Sequence, residues 1–146
     1  MKVSECMTRA VVLARPGDSI ADAARKMAEC DAGALPVADG DRLVGMITDR
    51  DIALRAVARD LGPETPVSEV MSQEKVLYCY EDEDLEHVAE NMGEQQVRRL
   101  PVLSRDKRLV GIIALADIAS GTDDATAGNA VADISRPGGK HDQTVH

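Results

Sequence analysis

A glycine, a hydroxyl and a carboxylate at fixed spacing are the residues of this sequence best suited to chemistry. Gly45, Thr48 and Asp51 stand within seven residues, where a strand is expected to pass into a helix. Glycine at a strand end allows a close backbone approach, and residues three apart at a helix start share one face. The Asp51 carboxylate can accept both cis hydroxyls of a ribose, and the Thr48 hydroxyl can donate to an oxygen beyond it. The pattern favours a sugar-phosphate ligand, with Arg50 as a further binding candidate.

The same residues also fit a purely structural role. Thr48 is a suitable helix N-cap, and Asp51 is an acid in the first turn that complements the helix dipole. For a single copy of the pattern this structural interpretation would be preferred. The sequence contains a second copy, which makes the ligand interpretation the leading one.

The second copy differs from the first in its hydrogen-bond donors. It keeps Gly111 and Asp117 but has Ala114 in the position of the hydroxyl. Two adjacent arginines, Arg98 and Arg99, precede its Leu-Pro-Val segment. Guanidinium groups pair bidentately with phosphate, although solvated strand residues are the alternative. The first copy therefore carries the ribose-binding residues, and the second carries the cations.

These patterns belong to a repeat that spans most of the chain. Residues 3–7 recur at 67–71, 35–37 at 100–102, 42–47 at 108–113 and 51–53 at 117–119. The constant order indicates a tandem duplication of a unit of about 60 residues. Each half is too small to bury a good core alone. We therefore expect the two halves to share one core.

Each repeat shows the alternation β-α-β-β-α. Short apolar runs at 11–14 and 76–80 predict the first strands. Helical spacing predicts amphipathic helices whose apolar stripes are Ile20, Ala23, Ala24, Met27 and Ala28, and Leu85, Val88, Ala89 and Met92. Their N-caps are expected at Asp18 or Ser19 and at Asp84. Two strands follow in each repeat, at 34–37 and 43–47 and at 99–102 and 109–113.

A closing helix ends each repeat, from near Asp49 to about Arg59 and from Ala116 to Gly121. Residues 125–134 predict a short helix that packs back on the core, and the last dozen residues predict a flexible tail. The expected organisation is one repeat over 1–62, a second over 63–120 and a C-terminal tail over 121–146.

The composition argues against several classes of partner. The 146 residues carry a net charge of −9, with two Tyr and no Phe or Trp, which disfavours nucleic acid and anionic membranes. No apolar run approaches a transmembrane span and no signal peptide is evident, so the cytoplasm is the expected compartment. The cysteines Cys6, Cys30 and Cys79 indicate neither a disulfide framework nor a zinc ribbon.

Catalysis finds little support in the sequence, and we expect no enzyme. His87 lies off the apolar stripe of its helix, His141 and His146 are in the tail, and no pair has metal-ligand spacing. No serine or cysteine has an evident base. The acidic run at 81–84 is typical of a solvated turn.

The Leu-Pro-Val strand and the Gly-x-x-[Ser/Thr]-x-x-Asp pattern, each occurring twice, resemble the cystathionine-β-synthase (CBS) domain family. The resemblance covers residues 3–120 as a tandem pair of the Bateman-module kind. It implies an α/β (α+β) fold of two units packed sheet to sheet with pseudo-two-fold symmetry. It also implies a stand-alone regulatory or sensor module without an obligatory cofactor, whose ligand contains adenosine: AMP, ADP, ATP, NAD or S-adenosylmethionine.

The resemblance further implies ligand sites built from both repeats. A competent site would combine Thr48, Arg50 and Asp51 with Arg98 and Arg99. A degraded second site would combine Ala114 and Asp117 with the first-repeat residues Gly33 and Ala34. Small aliphatic residues are candidates for the adenine pocket, with ordinary core as the alternative: Ala10, Val11, Ala34, Pro36 and Ile47.

Partners are expected by the same resemblance. Family members commonly form disc-like homodimers through their helices, and the apolar faces around Ile52, Ala56 and Val57 are compatible with this. Because no effector domain is encoded, the output would act on a regulated protein in trans. The alternative is a structural or protein-interaction adaptor whose pockets are empty.

Overall fold

The computed structural model describes residues 1–73, 76–121 and 124–135, and these form two compact units. Unit 1 contains Met1–Ala10, Leu77–Asp106 and the described residues from Val110 onward; unit 2 contains the described residues of Val11–Val76 together with Lys107–Leu109. Both combine helices with strands, which confirms the predicted fold class. Within the described ranges, no helix is both long and apolar enough to cross a membrane.

Unit 2 is built around a β-hairpin. Helix α1 (Ile20–Cys30) precedes strands β1 (Ala34–Asp39) and β2 (Arg42–Thr48), which pair antiparallel. The predicted closing helix, α2, spans residues 49–59 and changes type along its length: α-helical at Asp49–Asp51, π-helical at Ile52–Ala56 and 3₁₀ at Val57–Arg59. Helix α3 (Val67–Val70) follows. Ser19 is the N-cap of α1, because its side chain accepts a hydrogen bond from the Asp22 amide.

Unit 1 begins with a 3₁₀ turn at Val3–Glu5. Its sheet has the order β3 (Cys79–Tyr80), β4 (Arg99–Leu103), β5 (Leu109–Ala114). Its helices are α4 (Leu85–Gln95), α5 (Leu115–Gly121) and α6 (Asp124–Ile134). Asp84 caps α4 as predicted. The predicted C-terminal helix is confirmed as α6, which packs on α4 and α5 and buries Ala130.

The first strand of each repeat is much shorter than predicted. Residues 11–14 form a single parallel bridge, from Ala14 to Val37, and the strand expected at 76–80 is limited to β3. The Ala14 amide donates to the Pro36 carbonyl, and the Ala14 carbonyl accepts from the Ala38 amide. A further step of this ladder would need an N–H at Pro36, which proline lacks. Pro101 stands at the same position in β4, so both ladders end early for one reason.

The expectation of one shared core is wrong, because the described residues form two hydrophobic clusters. Each cluster nevertheless contains residues of both repeats. Val3 and Met7, from the start of the first repeat, lie in the core of unit 1. Val67 and Met71, from the start of the second repeat, lie in the core of unit 2. The repeats therefore exchange their N-terminal segments. The segment of each repeat completes the hydrophobic core formed by the helices and strands of the other repeat.

The exchanged segments are joined to the sheets by equivalent hydrogen bonds. Thr8 forms an antiparallel bridge with Ile112, and Ser72 forms one with Met46. Because the duplication relates Thr8 to Ser72 and Met46 to Ile112, the two bridges correspond. Each bridge has two N–H···O bonds of 2.8 to 3.1 Å. The exchange is thus reciprocal in its backbone contacts as well as in its apolar ones.

The glycine of the repeated pattern is required by this crossing. A Cβ on Gly45 would lie 2.8 Å from the Ser72 carbonyl oxygen, and a Cβ on Gly111 would lie 2.9 Å from that of Thr8. Such distances require the backbone to move. The close approach predicted for Gly45 is therefore made by the exchanged segment of the other repeat.

The two tyrosines lie together in unit 1. The Tyr78 and Tyr80 rings meet edge to face with centroids 5.5 Å apart, and the Arg105 guanidinium lies 4.1 Å from the Tyr80 centroid. Arg105 also pairs with Asp82, whose pKa is lowered chiefly by the hydrogen bond from this guanidinium. The contact links the turn after β3 to the turn after β4. Because the ion pair is exposed, its effect on stability is small.

Alanine at either crossing glycine is expected to destabilise the fold. Gly45→Ala and Gly111→Ala should each lower the free energy of unfolding by about 1–3 kcal/mol, because the added methyl group overpacks a backbone contact. Urea unfolding followed by far-UV circular dichroism measures this change. Gly17→Ala is the matched control, since a Cβ there meets no atom within 4 Å. Equal stability of the Gly45, Gly111 and Gly17 variants would contradict the crossing described above.

The cysteines should differ sharply in reactivity. Cys79 is buried in the core of unit 1, and burial raises the pKa of its thiol to about 12, whereas Cys30 is exposed. Because the thiolate is the reactive form, a maleimide pulse at neutral pH should label Cys30 and leave Cys79 unmodified. Peptide mass spectrometry identifies the labelled residue, and the same pulse in urea should label both. Rapid labelling of Cys79 in the native protein would contradict its burial.

Candidate functional site

Thr48 and Asp51 form a reciprocal capping box between β2 and α2. The Thr48 Oγ1 accepts from the Asp51 amide, and Asp51 Oδ2 accepts from the Thr48 amide, both at 3.0 Å. The structural role considered from the sequence is thus confirmed. These bonds leave two groups of the box unused by the backbone: the hydroxyl proton of Thr48 and the second carboxylate oxygen of Asp51.

The second oxygen of Asp51 faces a cation. Its Oδ1 lies 3.8 Å from Arg55 Nε, and the Asp51 side chain is 12% exposed while that of Arg55 is 47% exposed. Arg55 belongs to the π-helical part of α2, one helical turn beyond Asp51. Arg50 is exposed, and its amide donates to the side chain of Asp49. The start of α2 therefore presents a fixed hydroxyl and a fixed carboxylate, with guanidinium groups on the same helix.

The corresponding position in unit 1 keeps half of this arrangement. Asp117 Oδ2 accepts from the Ala114 amide at 2.8 Å, as Asp51 does from Thr48. Ala114 has no side-chain oxygen, so this position offers no hydroxyl that could cap α5 or bind a ligand. The interpretation of Ala114 and Asp117 as a degraded ligand site stays a prediction.

The residue before each Leu-Pro-Val strand lies at the start of the helix that closes the same unit. The Gly33 carbonyl accepts from the Asp49 amide, and the Arg98 carbonyl accepts from the Leu115 amide, both at 2.9 Å. Arg98 and the neighbouring Arg99 are exposed. They therefore lie in unit 1, close to the start of α5. Their predicted contribution to a site with Thr48 and Asp51, which belong to unit 2, stays a prediction.

The candidates for an adenine pocket occupy different environments. Ile47 and Pro36 are buried, and Ile47 belongs to the core of unit 2 with no exposed surface. Ala34 is half-buried and pairs with Thr48 across the hairpin. Val11 is half-buried in unit 2, whereas Ala10 is exposed and belongs to unit 1. Ala34 and Ile47 adjoin the capping box, because Ala34 pairs with Thr48 and Ile47 directly precedes Thr48 in β2.

A groove on the helices of unit 2 was not identified from the sequence. It encloses about 350 Å³, and its walls come from α1, α2 and the residues between α1 and β1. Ala24 and Ala28, which helical spacing places on the apolar stripe of α1, line it and are exposed. Helical periodicity could not predict this groove, because periodicity identifies the apolar face of a helix but not whether another element covers that face.

Metal ligands are not grouped in the described ranges. No cluster there contains three or more His, Cys, Asp or Glu side chains placed to hold an ion. His87 is exposed, and its Nε2 lies 3.3 Å from the side-chain nitrogen Nδ2 of Asn91. His141, His146 and the predicted flexible tail lie outside the described residues.

Two stretches of the sequence match the same known domain. The family model for the CBS domain matches residues 3–57 and 67–121. The chain belongs to the CBS-domain family. The CBS domain-containing protein YhcV of Bacillus subtilis (strain 168) is 42% identical over 134 residues, which cover 91% of this chain and 94% of that protein.

Solved CBS-domain structures have the same fold. The crystal structure of Hypoxic Response Protein I with two coordinated zinc ions matches with a TM-score of 0.75 and 37% identity, covering 84% of this chain and all of that one. The CBS domain pair of protein MJ0100, in complex with 5′-methylthioadenosine and S-adenosylmethionine, matches at 0.70 with 30% identity, covering 82% and 94%. CBSX2 in complex with AMP matches at 0.70 with 25% identity and the same coverage.

Two substitutions at the helix starts, Thr48→Ala and Ala114→Thr, should change the stability of the protein in opposite directions. Thr48→Ala is expected to lower the free energy of unfolding by about 1 kcal/mol, because α2 loses its N-cap acceptor. Ala114→Thr should raise it by a few tenths to about 1 kcal/mol, because a hydroxyl next to Asp117 completes the second box. Urea unfolding measures both, with Thr48→Ser as the conservative control. Destabilisation by Ala114→Thr would contradict the equivalence of the two helix starts.

Proposed function

We propose that this chain is a regulatory CBS-pair module that binds an adenosine-containing ligand through Thr48 and Asp51. The capping box carries the proposal. It uses the Thr48 oxygen only as an acceptor and uses one oxygen of Asp51. The Thr48 hydroxyl proton therefore remains to donate to a ligand. Asp51 Oδ1, which lies 3.8 Å from Arg55 Nε, keeps lone pairs that can accept hydrogen bonds from a ligand, and the cap holds both side chains in place beforehand.

The proposed site suits a ribose better than an isolated phosphate. A carboxylate oxygen accepts hydrogen bonds from hydroxyl groups and repels an anion, so Asp51 would bind the sugar. The phosphate of a nucleotide ligand would lie away from Asp51, next to cationic side chains. Arg50 on the same helix and the pair Arg98 and Arg99 of the other repeat are the proposed cationic contributors.

One competent site per chain is proposed. The start of α5 offers Asp117 without a hydroxyl, because Ala114 replaces the threonine. AMP and S-adenosylmethionine in the CBS pairs of similar fold support an adenosyl ligand as the class. ADP, ATP and NAD belong to the same class, and no obligatory cofactor is part of the proposal.

The proposed mechanism is thermodynamic linkage. A ligand that binds one packing of the repeats more tightly shifts the population toward that packing, and a partner that distinguishes the packings reads the shift. The proposed output is therefore non-catalytic and acts on a regulated protein in trans. The proposal also includes a homodimer formed through the helices.

An adaptor with empty pockets is the second candidate. It is favoured by the fact that capping alone accounts for one bond each of Thr48 and Asp51. A thermal-shift panel of AMP, ADP, ATP, NAD and S-adenosylmethionine separates the two candidates. A ligand at 100 times its dissociation constant should add about 2.7 kcal/mol to the stability of the protein. No shift with any of the five ligands would favour the adaptor.

Substitution at Asp51 should weaken binding of the ligand found in the panel. Asp51→Asn keeps a side-chain acceptor for the Thr48 amide but removes the charge, and is expected to weaken binding by roughly tenfold or more. Asp117→Asn is the matched control in the other repeat and should leave the affinity unchanged. Arg98→Ala and Arg99→Ala should weaken binding of phosphate-bearing ligands. Calorimetry measures each affinity, and equal effects of Asp51→Asn and Asp117→Asn would contradict a single competent site.

A further inference from the structure

The two carboxylate oxygens of Asp51 have different neighbours. Oδ2 accepts from the Thr48 amide at 3.0 Å, and Oδ1 lies 3.8 Å from Arg55 Nε. Because N–H···O hydrogen bonds span about 2.7–3.2 Å, the contact with Arg55 is an ion pair without a hydrogen bond. The Asp51 side chain is 12% exposed, whereas that of Arg55 is 47% exposed. A guanidinium that is open to solvent therefore lies beside the carboxylate, with N–H groups that Asp51 does not use.

The second repeat has no counterpart of this cation. The duplication relates Arg55 to Gly121, the last residue of α5. A Cβ on Gly121 would lie 2.6 Å from Leu85 Cδ2 and 2.7 Å from Cys6 Sγ. The packing of unit 1 therefore leaves no room for an arginine at this position.

The hydroxyl and the guanidinium are lost together in the second repeat. Asp51 has the Thr48 hydroxyl on one side and Arg55 one helical turn further on. Asp117 keeps its hydrogen bond from the Ala114 amide but has neither group beside it in the repeated pattern. A helix N-cap requires only the first of the two groups, because Arg55 lies beyond the capping box. Their joint presence in one repeat favours a shared role at one ligand site.

A ribose hydroxyl has the polarity that Asp51 and Arg55 can use together. A hydroxyl both donates and accepts hydrogen bonds, so the same oxygen can donate to Asp51 Oδ1 and accept from the Arg55 guanidinium. A deoxyribose lacks one hydroxyl and would leave the carboxylate and the guanidinium without this shared partner. Hydrogen bonds to charged groups are stronger than those between neutral groups. The loss of the hydroxyl should therefore weaken binding measurably.

We propose that Arg55 is a further ligand-binding residue, which binds a ribose hydroxyl together with Asp51 and makes the site selective for ribose over deoxyribose. The inference rests on the proposed function and adds to it one residue and a preference for one sugar. The alternative role of Arg55 is an i,i+4 ion pair that stabilises α2, and exposed pairs of this kind contribute little. That role would change the stability of the protein but not its preference between sugars.

Calorimetry on the full chain with adenosine, AMP and their 2′-deoxy and 3′-deoxy analogues tests the proposal. The wild type should bind the ribose form more tightly than one of its deoxy forms by roughly tenfold or more. Arg55→Ala should lower this ratio by roughly threefold or more, because one of the two partners of the hydroxyl is lost. Arg59→Ala is the matched control, since Arg59 is an exposed arginine one turn further along α2, and should keep the wild-type ratio. Far-UV circular dichroism verifies that each variant is folded.

The outcomes separate this proposal from the proposed function. Equal affinity of the wild type for the ribose and deoxyribose forms, or a wild-type ratio in Arg55→Ala, would overturn the role of Arg55 and leave the adenosine site intact. An equal loss in Arg59→Ala would also overturn it, because the effect would then come from the general charge of α2. Absence of binding by both adenosine and AMP would overturn the role of Arg55, while the thermal-shift panel decides the proposed function separately.

Discussion

The close contact between each crossing glycine and the backbone of the other repeat is the constraint on which the rest of the structure depends. Because the Gly45 and Gly111 positions exclude a Cβ, the segments that contain Ser72 and Thr8 can lie directly on the strands. The bridges formed there carry Met71 and Met7 into the two cores. A duplicated unit too small to fold alone thereby obtains a complete core, since each copy supplies the segment that the other lacks.

The elements set by local chemistry could be predicted from the sequence. Helices α1, α2, α4, α5 and α6, the N-cap Asp84 and the hairpin strands follow from periodicity and capping, which act over a few residues. The sequence left Asp18 and Ser19 as alternatives for the N-cap of α1 and did not predict helix α3. The length of the first strand in each repeat could not be predicted. It depends on the missing N–H of Pro36 and Pro101, and the sequence does not show that these prolines face the first strands. The sequence could not show that the chain has two cores rather than one. The N-terminal segments of the two repeats are similar, so the sequence does not show against which repeat each segment packs.

The candidate site shows why the structural and ligand interpretations of Thr48 and Asp51 need not compete. A side chain that is fixed by the backbone loses little conformational freedom when a ligand arrives, which favours binding. The sequence placed both residues correctly at a helix start. It could not show the groove beside α1, since the exposure of Ala24 and Ala28 depends on whether another helix covers them.

The edge-to-face tyrosine pair has a consequence for optical work on this protein. The chain has no tryptophan, and its only two tyrosines lie 5.5 Å apart in unit 1, beside the Arg105 guanidinium. Absorbance near 280 nm and ultraviolet emission therefore come from a single place in the fold. Tyrosine absorbance and fluorescence therefore report on the surroundings of β3 and do not report directly on the hairpin, the capping box or the groove of unit 2.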